Sequence, residues 1–100
     1  MSNVYRYSFD PTVPMDEIEA TFVLAITATE HHHGPIQTRL DAAHVMEIDD
    51  RKCVIDASTN VAVDLNRQFL GFIERQFGPN SYRVERVENS KQAEPVEAES

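Results

Sequence analysis

Three consecutive histidines, His31 to His33, are the most conspicuous chemical group in this chain of 100 residues. Imidazole is a common zinc ligand, but a zinc site needs several ligands that converge on one ion. Successive helix residues project about 100° apart, so three neighbours on one helix cannot converge. We therefore predict no metal site within one chain and expect these histidines at a helix C-terminus, where they interact favourably with the last carbonyls. A histidine pair that binds zinc together with a second copy is the alternative.

Two aspartates, Asp10 and Asp56, form the second candidate group, because each is expected near the end of a strand. We take strands 1 and 3 to run parallel at the centre of the sheet, which places both carboxylates at one edge. Ser58, Thr59 and Asn60 join them there, beside the unpaired N–H groups of two helix N-termini. Such an edge could bind an anion or a hard cation, or pair two carboxylates for acid/base catalysis. The favoured interpretation is that these residues cap helices.

The remaining residues predict neither a nucleophile nor a cofactor site. Cys53 is the only cysteine, and it lies in an apolar stretch where a buried, unreactive thiol is expected. Gly34 and Gly78 are expected at helix ends and Gly71 within a helix, so the three glycines build no phosphate-binding loop. We predict no catalytic residue and no cofactor.

The elements that must position these residues indicate an α+β domain over residues 1–87. Alternating apolar residues predict strands, and apolar residues at helical spacing predict two helices, each followed by a Gly-Pro pair. In chain order these are strand Val4–Phe9, helix Pro14–His33, one strand or two strand pieces over residues 36–48, a turn at 49–52, strand Cys53–Ala57, helix residues 61–77 and strand Ser81–Val87. This βαββαβ order predicts the ferredoxin-like plait, a four-stranded antiparallel sheet with both helices on one face.

The charge distribution excludes several classes of partner. The chain has a formal net charge of −8, with 17 acidic and 9 basic residues, so binding to nucleic acid or to an anionic membrane is not expected. RNA-recognition domains share the βαββαβ order, but they stack bases on aromatic residues of the third strand, and Cys53–Ala57 has none. The longest apolar run, Phe22–Ile26, is far too short to span a membrane. We expect a cytoplasmic protein whose acidic residues 88–100 form a disordered tail.

Two features predict a surface for a protein partner. The first helix carries no charge from Ala20 to Thr29, and a second apolar row faces away from its core side. The long second strand overhangs its shorter partner strand, so either a bulge at Ala42-Ala43 redirects it or another subunit completes the edge at Ile36, Thr38 and Leu40. The predicted partner-binding residues are Ala20, Val23, Leu24, Thr27, Ala28, Ile36, Thr38 and Leu40. We therefore expect a non-catalytic module that associates with itself, as a dimer, or with another protein.

The alternative function belongs to a different class. A small dimeric ligand-binding protein or enzyme would use a pocket between the sheet and the helices, lined by Tyr5, Tyr7, His44 or Asp56. A cavity of several hundred Å³ with converging polar groups would favour this alternative, whereas a filled core beneath the helices would favour the interaction module.

Overall fold

The computed structural model describes residues 3–87 and has three helices and four strands in this part of the chain. The predicted disordered tail, residues 88–100, lies outside the described residues. The elements are β1 (Val4–Phe9), α1 (Met15–His33), α2 (Pro35–Asp41), β2 (His44–Glu47), β3 (Lys52–Asp56), α3 (Asn60–Phe77) and β4 (Tyr82–Val87).

The four strands form one antiparallel sheet in the order β2-β3-β1-β4. The central strand β1 pairs with β3 through Tyr7 opposite Cys53, and with β4 through Tyr7 opposite Val84. With the two long helices α1 and α3 packed together against one face, this is the predicted ferredoxin-like plait. The predicted direction of one strand pair is wrong, because β1 and β3 are antiparallel.

An aromatic cluster between the sheet and the long helices forms the centre of the core. The Tyr7 ring lies edge-on to Phe69 of α3, with ring centroids 5.1 Å apart, and Phe22 of α1 lies edge-on to Phe69 at 5.0 Å. Phe9 stacks beside Tyr7 at 6.2 Å. Edge-to-face aromatic pairs add about 0.5–1.5 kcal/mol beyond the burial of their area. The predicted inward direction of Tyr7 and Phe9 is therefore confirmed.

Tyr7 is fully buried, so its hydroxyl needs a partner inside the protein. The hydroxyl donates a hydrogen bond to the side-chain oxygen of Asn66 on α3, at 2.7 Å. This bond fixes α3 relative to the central strand, while burial raises the pKa of the Tyr7 phenol well above its ordinary value.

Both long helices end where the sequence predicts, at a glycine with positive φ. Gly34 and Gly78 have φ values of 86° and 91°, and their N–H groups donate to the carbonyls of Glu30 and Glu74. A residue with a Cβ is strained in this conformation, which is why glycine is common at this position.

The short helix α2 corrects the largest error of the sequence analysis, since it occupies residues predicted as a strand. Gly34 ends α1 and also accepts the first backbone bond of α2 from Thr38, so Pro35 begins a new helix rather than a strand. Proline suits the first turn of a helix because no partner is needed for its nitrogen. An alternating pattern and a helical pattern both place residues i and i+4 on one side. The spacing of Ile36 and Leu40 therefore does not distinguish a strand from a helix.

Arg51 ends the β2–β3 turn with a φ of 57°, the one positive value outside glycine among residues 3–87. Its guanidinium donates to the carbonyl of Asp10 at 2.5 Å and also to the carbonyl of Val13. The backbone N–H of Phe9 in turn donates to the Arg51 carbonyl at 3.0 Å. These bonds hold the β1–α1 loop against the turn and so position the start of α1.

Removal of the Tyr7 hydroxyl tests its bond to Asn66. We expect Tyr7→Phe to lower the free energy of unfolding by about 1–2 kcal/mol, because the bond is lost and the half-buried Asn66 amide loses a partner. Tyr5→Phe is the matched control, since Tyr5 is only partly buried and no hydrogen bond of its hydroxyl occurs within residues 3–87. Urea denaturation measures both variants, and equal effects would contradict the assignment.

Stability should also fall at alkaline pH. Burial raises the pKa of the Cys53 thiol from about 9 to about 12, and burial with the Glu74 hydrogen bond raises that of Tyr82 from 10 to about 12. The unfolded chain therefore loses these protons first, so stability present below about pH 9 is lost as the pH rises. Urea midpoints at pH 7, 9 and 10.5 measure this loss, and Cys53→Ala should reduce it. A constant midpoint over this range would contradict the prediction.

Candidate functional site

The outward face of α1 is the most unusual surface among the described residues. The core side of α1 is formed by Met15, Ile18, Thr21, Phe22, Ala25 and Thr29. The opposite side carries a line of exposed residues that we call the outer row: Asp16, Ala20, Val23, Leu24, Thr27 and His31. Val23 and Leu24 are 57% and 53% exposed. A solvent-facing helix side normally carries charge, so this uncharged centre is unusual for a helix side exposed to water.

Thr27 can be covered by an apolar surface although its side chain carries a polar hydroxyl group. Its hydroxyl donates to the Val23 carbonyl of the same helix at 3.0 Å. Covering Thr27 therefore leaves no unpaired hydroxyl donor, which removes the usual cost of burying a threonine. Ala28, also predicted in this surface, is half-buried, and the exposed Ala20 adds little bulk.

The helix α2 contributes two further exposed apolar side chains. Ile36 and Leu40 are 65% and 73% exposed, and their spacing places them on one side of the helix. Thr38 belongs to the opposite side: it is buried, and its hydroxyl donates to the Gly34 carbonyl at 2.8 Å. The predicted strand edge at Ile36, Thr38 and Leu40 is therefore wrong, although Ile36 and Leu40 remain available to a partner.

A notch of about 200 Å³ lies between α1, α2 and the start of β2. Ile26 and Ala42 supply apolar walls, while Glu30, Arg39 and His44 supply polar groups, and Thr38 completes the lining. This notch involves a residue, Arg39, that the sequence analysis did not single out. Arg39 lies beside Glu30 because residues 35–41 form a helix, and the sequence analysis predicted a strand there.

His44 is held in a defined orientation at the notch. Its Nδ1 lies 2.9 Å from the Ala42 carbonyl oxygen, and its ring lies 4.7 Å from the Phe22 ring. A carbonyl only accepts hydrogen bonds, so Nδ1 carries the proton, and Nε2 of the neutral ring is an acceptor. The notch therefore contains one oriented imidazole beside a carboxylate and a guanidinium.

The other residues of the predicted pocket lie elsewhere. The space between sheet and long helices is filled, since Tyr7, Leu65 and Phe69 have no exposed surface there. Tyr5 packs against this core as a partly buried residue, and Asp56 ends β3 outside the notch lining.

Asp10 and Asp56 do not lie together, which corrects the predicted anionic edge. Because β1 and β3 are antiparallel, Asp56 pairs with Val4 at one end, while Asp10 follows β1 at the other. Asp10 accepts from the backbone N–H of Thr12 at 3.1 Å and from the Thr12 hydroxyl, and these bonds lower the pKa of the Asp10 carboxyl. A paired-carboxylate mechanism therefore has no geometric basis in this pair.

The favoured capping interpretation holds for Thr59 at the Asp56 end of the sheet, whereas α1 begins at Pro14 without a side-chain cap bond. Ser58 donates to the Asp56 carboxylate, and Thr59 is the N-cap of α3, accepting from the Ala62 N–H at 3.0 Å. The Thr59 hydroxyl also donates to the Asp41 carbonyl at 2.7 Å and so joins α3 to the end of α2. Asn60 is the exposed first residue of α3.

The histidine cluster closes α1, and its members make different contacts. The Nε2 of His33 lies 2.6 Å from the Asp64 carboxylate on α3, which ties the two long helices together. His31 and His32 are exposed. Within the described part of the chain, no three histidine, cysteine or acidic side chains are grouped around a common metal position.

The chain matches no protein-family model, no curated protein and no solved structure. Among residues 3–87, no helix combines the length and apolar character that a membrane crossing requires. The chain is therefore classified by its fold alone.

Substitution of Thr59 tests whether this edge serves as a cap. Thr59→Ala should lower the free energy of unfolding by about 1–2 kcal/mol, because the bonds to Ala62 and Asp41 are both lost. Thr59→Ser keeps the hydroxyl and should restore most of the stability. Thermal or urea unfolding measures the pair, and a Thr59→Ala variant as stable as the original chain would contradict the capping role.

Proposed function

We propose that the protein is a non-catalytic interaction module that associates with a second copy through the outer row of α1. The observation that carries the proposal is the exposure of Val23 and Leu24 on a helix face without charge from Ala20 to Thr29. Ile36 and Leu40 on the adjacent α2 offer further apolar surface to the same partner.

Electrostatics favour this face over the other surfaces. Two copies each carry a formal charge of −8, so their approach is opposed wherever acidic side chains meet. The outward side of α3 carries Arg67, Glu74 and Arg75, and the open sheet face carries the Arg6–Glu85 ion pair at 3.3 Å. Charged groups lose hydration when they are covered, whereas the centre of the outer row has none to lose.

The size of the surface indicates weak association. Covering the exposed half of a valine or leucine contributes about 1 kcal/mol, so Val23 and Leu24 of two copies contribute about 4 kcal/mol. This gain is similar to the lower estimates of the cost of association. Additional contacts from α2 would bring the dissociation constant into the micromolar to millimolar range, which suits a module that assembles reversibly.

The notch at His44 supports a second candidate function, the binding of a small ligand. Its oriented imidazole, with Arg39 and Glu30 nearby, is the kind of polar group that positions a ligand. Its volume of about 200 Å³ is below the range of about 300–1,000 Å³ that is usual for ligand pockets. Self-association is therefore the better supported proposal.

Analytical ultracentrifugation of the full chain between 10 μM and 1 mM, concentrations chosen from the expected affinity range, tests the proposal. Leu24→Glu should abolish the dimer, because it places a charge in the apolar centre of the interface. Val45→Glu is the matched control: Val45 is 54% exposed on the open sheet face, and the substitution adds the same charge.

A dimer that Leu24→Glu removes and Val45→Glu preserves supports the proposal. A chain that stays monomeric at 1 mM, within the expected affinity range, would contradict it. Loss of the dimer only in Val45→Glu would place the interface on the sheet and would also overturn it.

A further inference from the structure

The outer row has an internal symmetry that a helix does not require. Its members are placed in pairs about the point between Val23 and Leu24: Ala20 with Thr27, and Asp16 with His31. All these side chains are exposed. The row therefore has an acidic residue at one end, a histidine at the other and an apolar centre, over about 22 Å at the usual helical rise.

We propose that two copies pair α1 antiparallel about a twofold axis between Val23 and Leu24, with Asp16 beside the partner's His31. The inference rests on the proposed self-association and adds the orientation of the partner. By the same symmetry Val23 packs on the partner's Leu24, and Ala20 on the partner's Thr27. Each dimer then contains two Asp16–His31 contacts, because a twofold interface repeats every contact.

A parallel arrangement satisfies the same apolar centre but opposes the charges. It would bring Asp16 beside the partner's Asp16 and His31 beside the partner's His31, and it would align the two helix dipoles. The antiparallel arrangement instead places the positive N-terminal end of one helix near the negative C-terminal end of the other. Ala20 and Thr27, small residues on both sides of the centre, permit the helix axes to approach closely.

The neighbouring charges strengthen this polarity. Glu17 and Glu19 adjoin Asp16 on α1, and neither forms an ion pair within residues 3–87. Arg75 is the basic residue in the last turn of α3, which packs antiparallel to α1 and so ends near this acidic end. The N-terminal end of the outer row is therefore acidic overall and favours a cationic partner side chain.

The surroundings of His31 contain groups of both signs. Glu30 and His32 adjoin His31 on α1, and Glu30 and Thr27 line the same shallow depression as His31. The helix α2 carries Arg39 and Asp41, and Asp64 of α3 is already bonded to His33. In the proposed pairing, the partner's Asp16 adds a further carboxylate beside the His31 imidazole.

A permanent positive charge at position 31 tests the pairing. We expect His31→Lys to tighten the dimer about fivefold, because each new contact with Asp16 is an exposed ion pair that occurs twice. His32→Lys is the matched control, since it changes the net charge equally but projects about 100° away from the outer row. Its effect should be less than about twofold, the size expected from net charge alone.

A reversed pair provides the second test. His31→Glu should weaken the dimer about fivefold, and Asp16→Lys combined with His31→Glu should restore it, because the attraction is kept with its signs exchanged. Analytical ultracentrifugation of the full chain at pH 8 measures all variants, and circular dichroism confirms that each one folds.

The outcomes separate this inference from the proposed function. The antiparallel dimer is supported if His31→Lys tightens the dimer while His32→Lys does not. The combination of Asp16→Lys with His31→Glu should also restore the dimer that His31→Glu weakens. A dimer that Leu24→Glu removes, but that His31→Lys weakens or leaves unchanged, overturns the antiparallel pairing and leaves self-association in place. A chain that is monomeric in every variant overturns both.

Discussion

The contact of Phe69 with Tyr7 and Phe22 is the interaction on which the rest of the molecule depends. The Phe69 ring of α3 lies 5.1 Å from the Tyr7 ring of the central strand and 5.0 Å from the Phe22 ring of α1. Their burial removes the largest apolar side chains from water and fixes which side of α1 and α3 faces the sheet. Once these sides are fixed, the opposite side of each helix faces outward.

The two helices perform the same task in the core but differ on their outer sides. The outward positions of α3 include Arg67, Glu74 and Arg75, as expected for a helix in water. The corresponding centre of α1 is Val23 and Leu24, which nothing among residues 3–87 covers. The core of the described residues uses only the opposite side of α1. This difference is the physical basis of the proposal that α1 carries an interaction surface.

The sequence was sufficient to locate most elements because their signals were local. The alternation of Tyr5, Tyr7 and Phe9 predicted β1 with its bounds, and Gly34 and Gly78 marked both helix ends. Thr59, one of three candidate caps, is the one whose hydroxyl accepts from a first-turn N–H. Such features depend on residues a few positions apart, which is the range over which sequence patterns are informative.

The errors came from relations between distant parts of the chain. The direction of β3 relative to β1 is set by the path of two crossovers, and the wrong assumption placed Asp56 beside Asp10. The prediction of a strand over residues 36–48 was wrong because the spacing of Ile36 and Leu40 fits the strand period and the helical period equally. Gly34 also allows a second helix to begin directly after α1. The notch at His44 followed from that helix, so it was not predictable either.

In the proposed dimer, two copies meet on the outer side of α1. Nuclear magnetic resonance spectra of the full chain, recorded over increasing concentration, test it most directly. If two copies meet there, the amide and methyl signals of Ala20, Val23, Leu24 and Thr27 shift with concentration, while those of Val45 and Val54 on the open sheet face stay constant. Concentration-dependent shifts confined to the sheet face, or none at all, would contradict it.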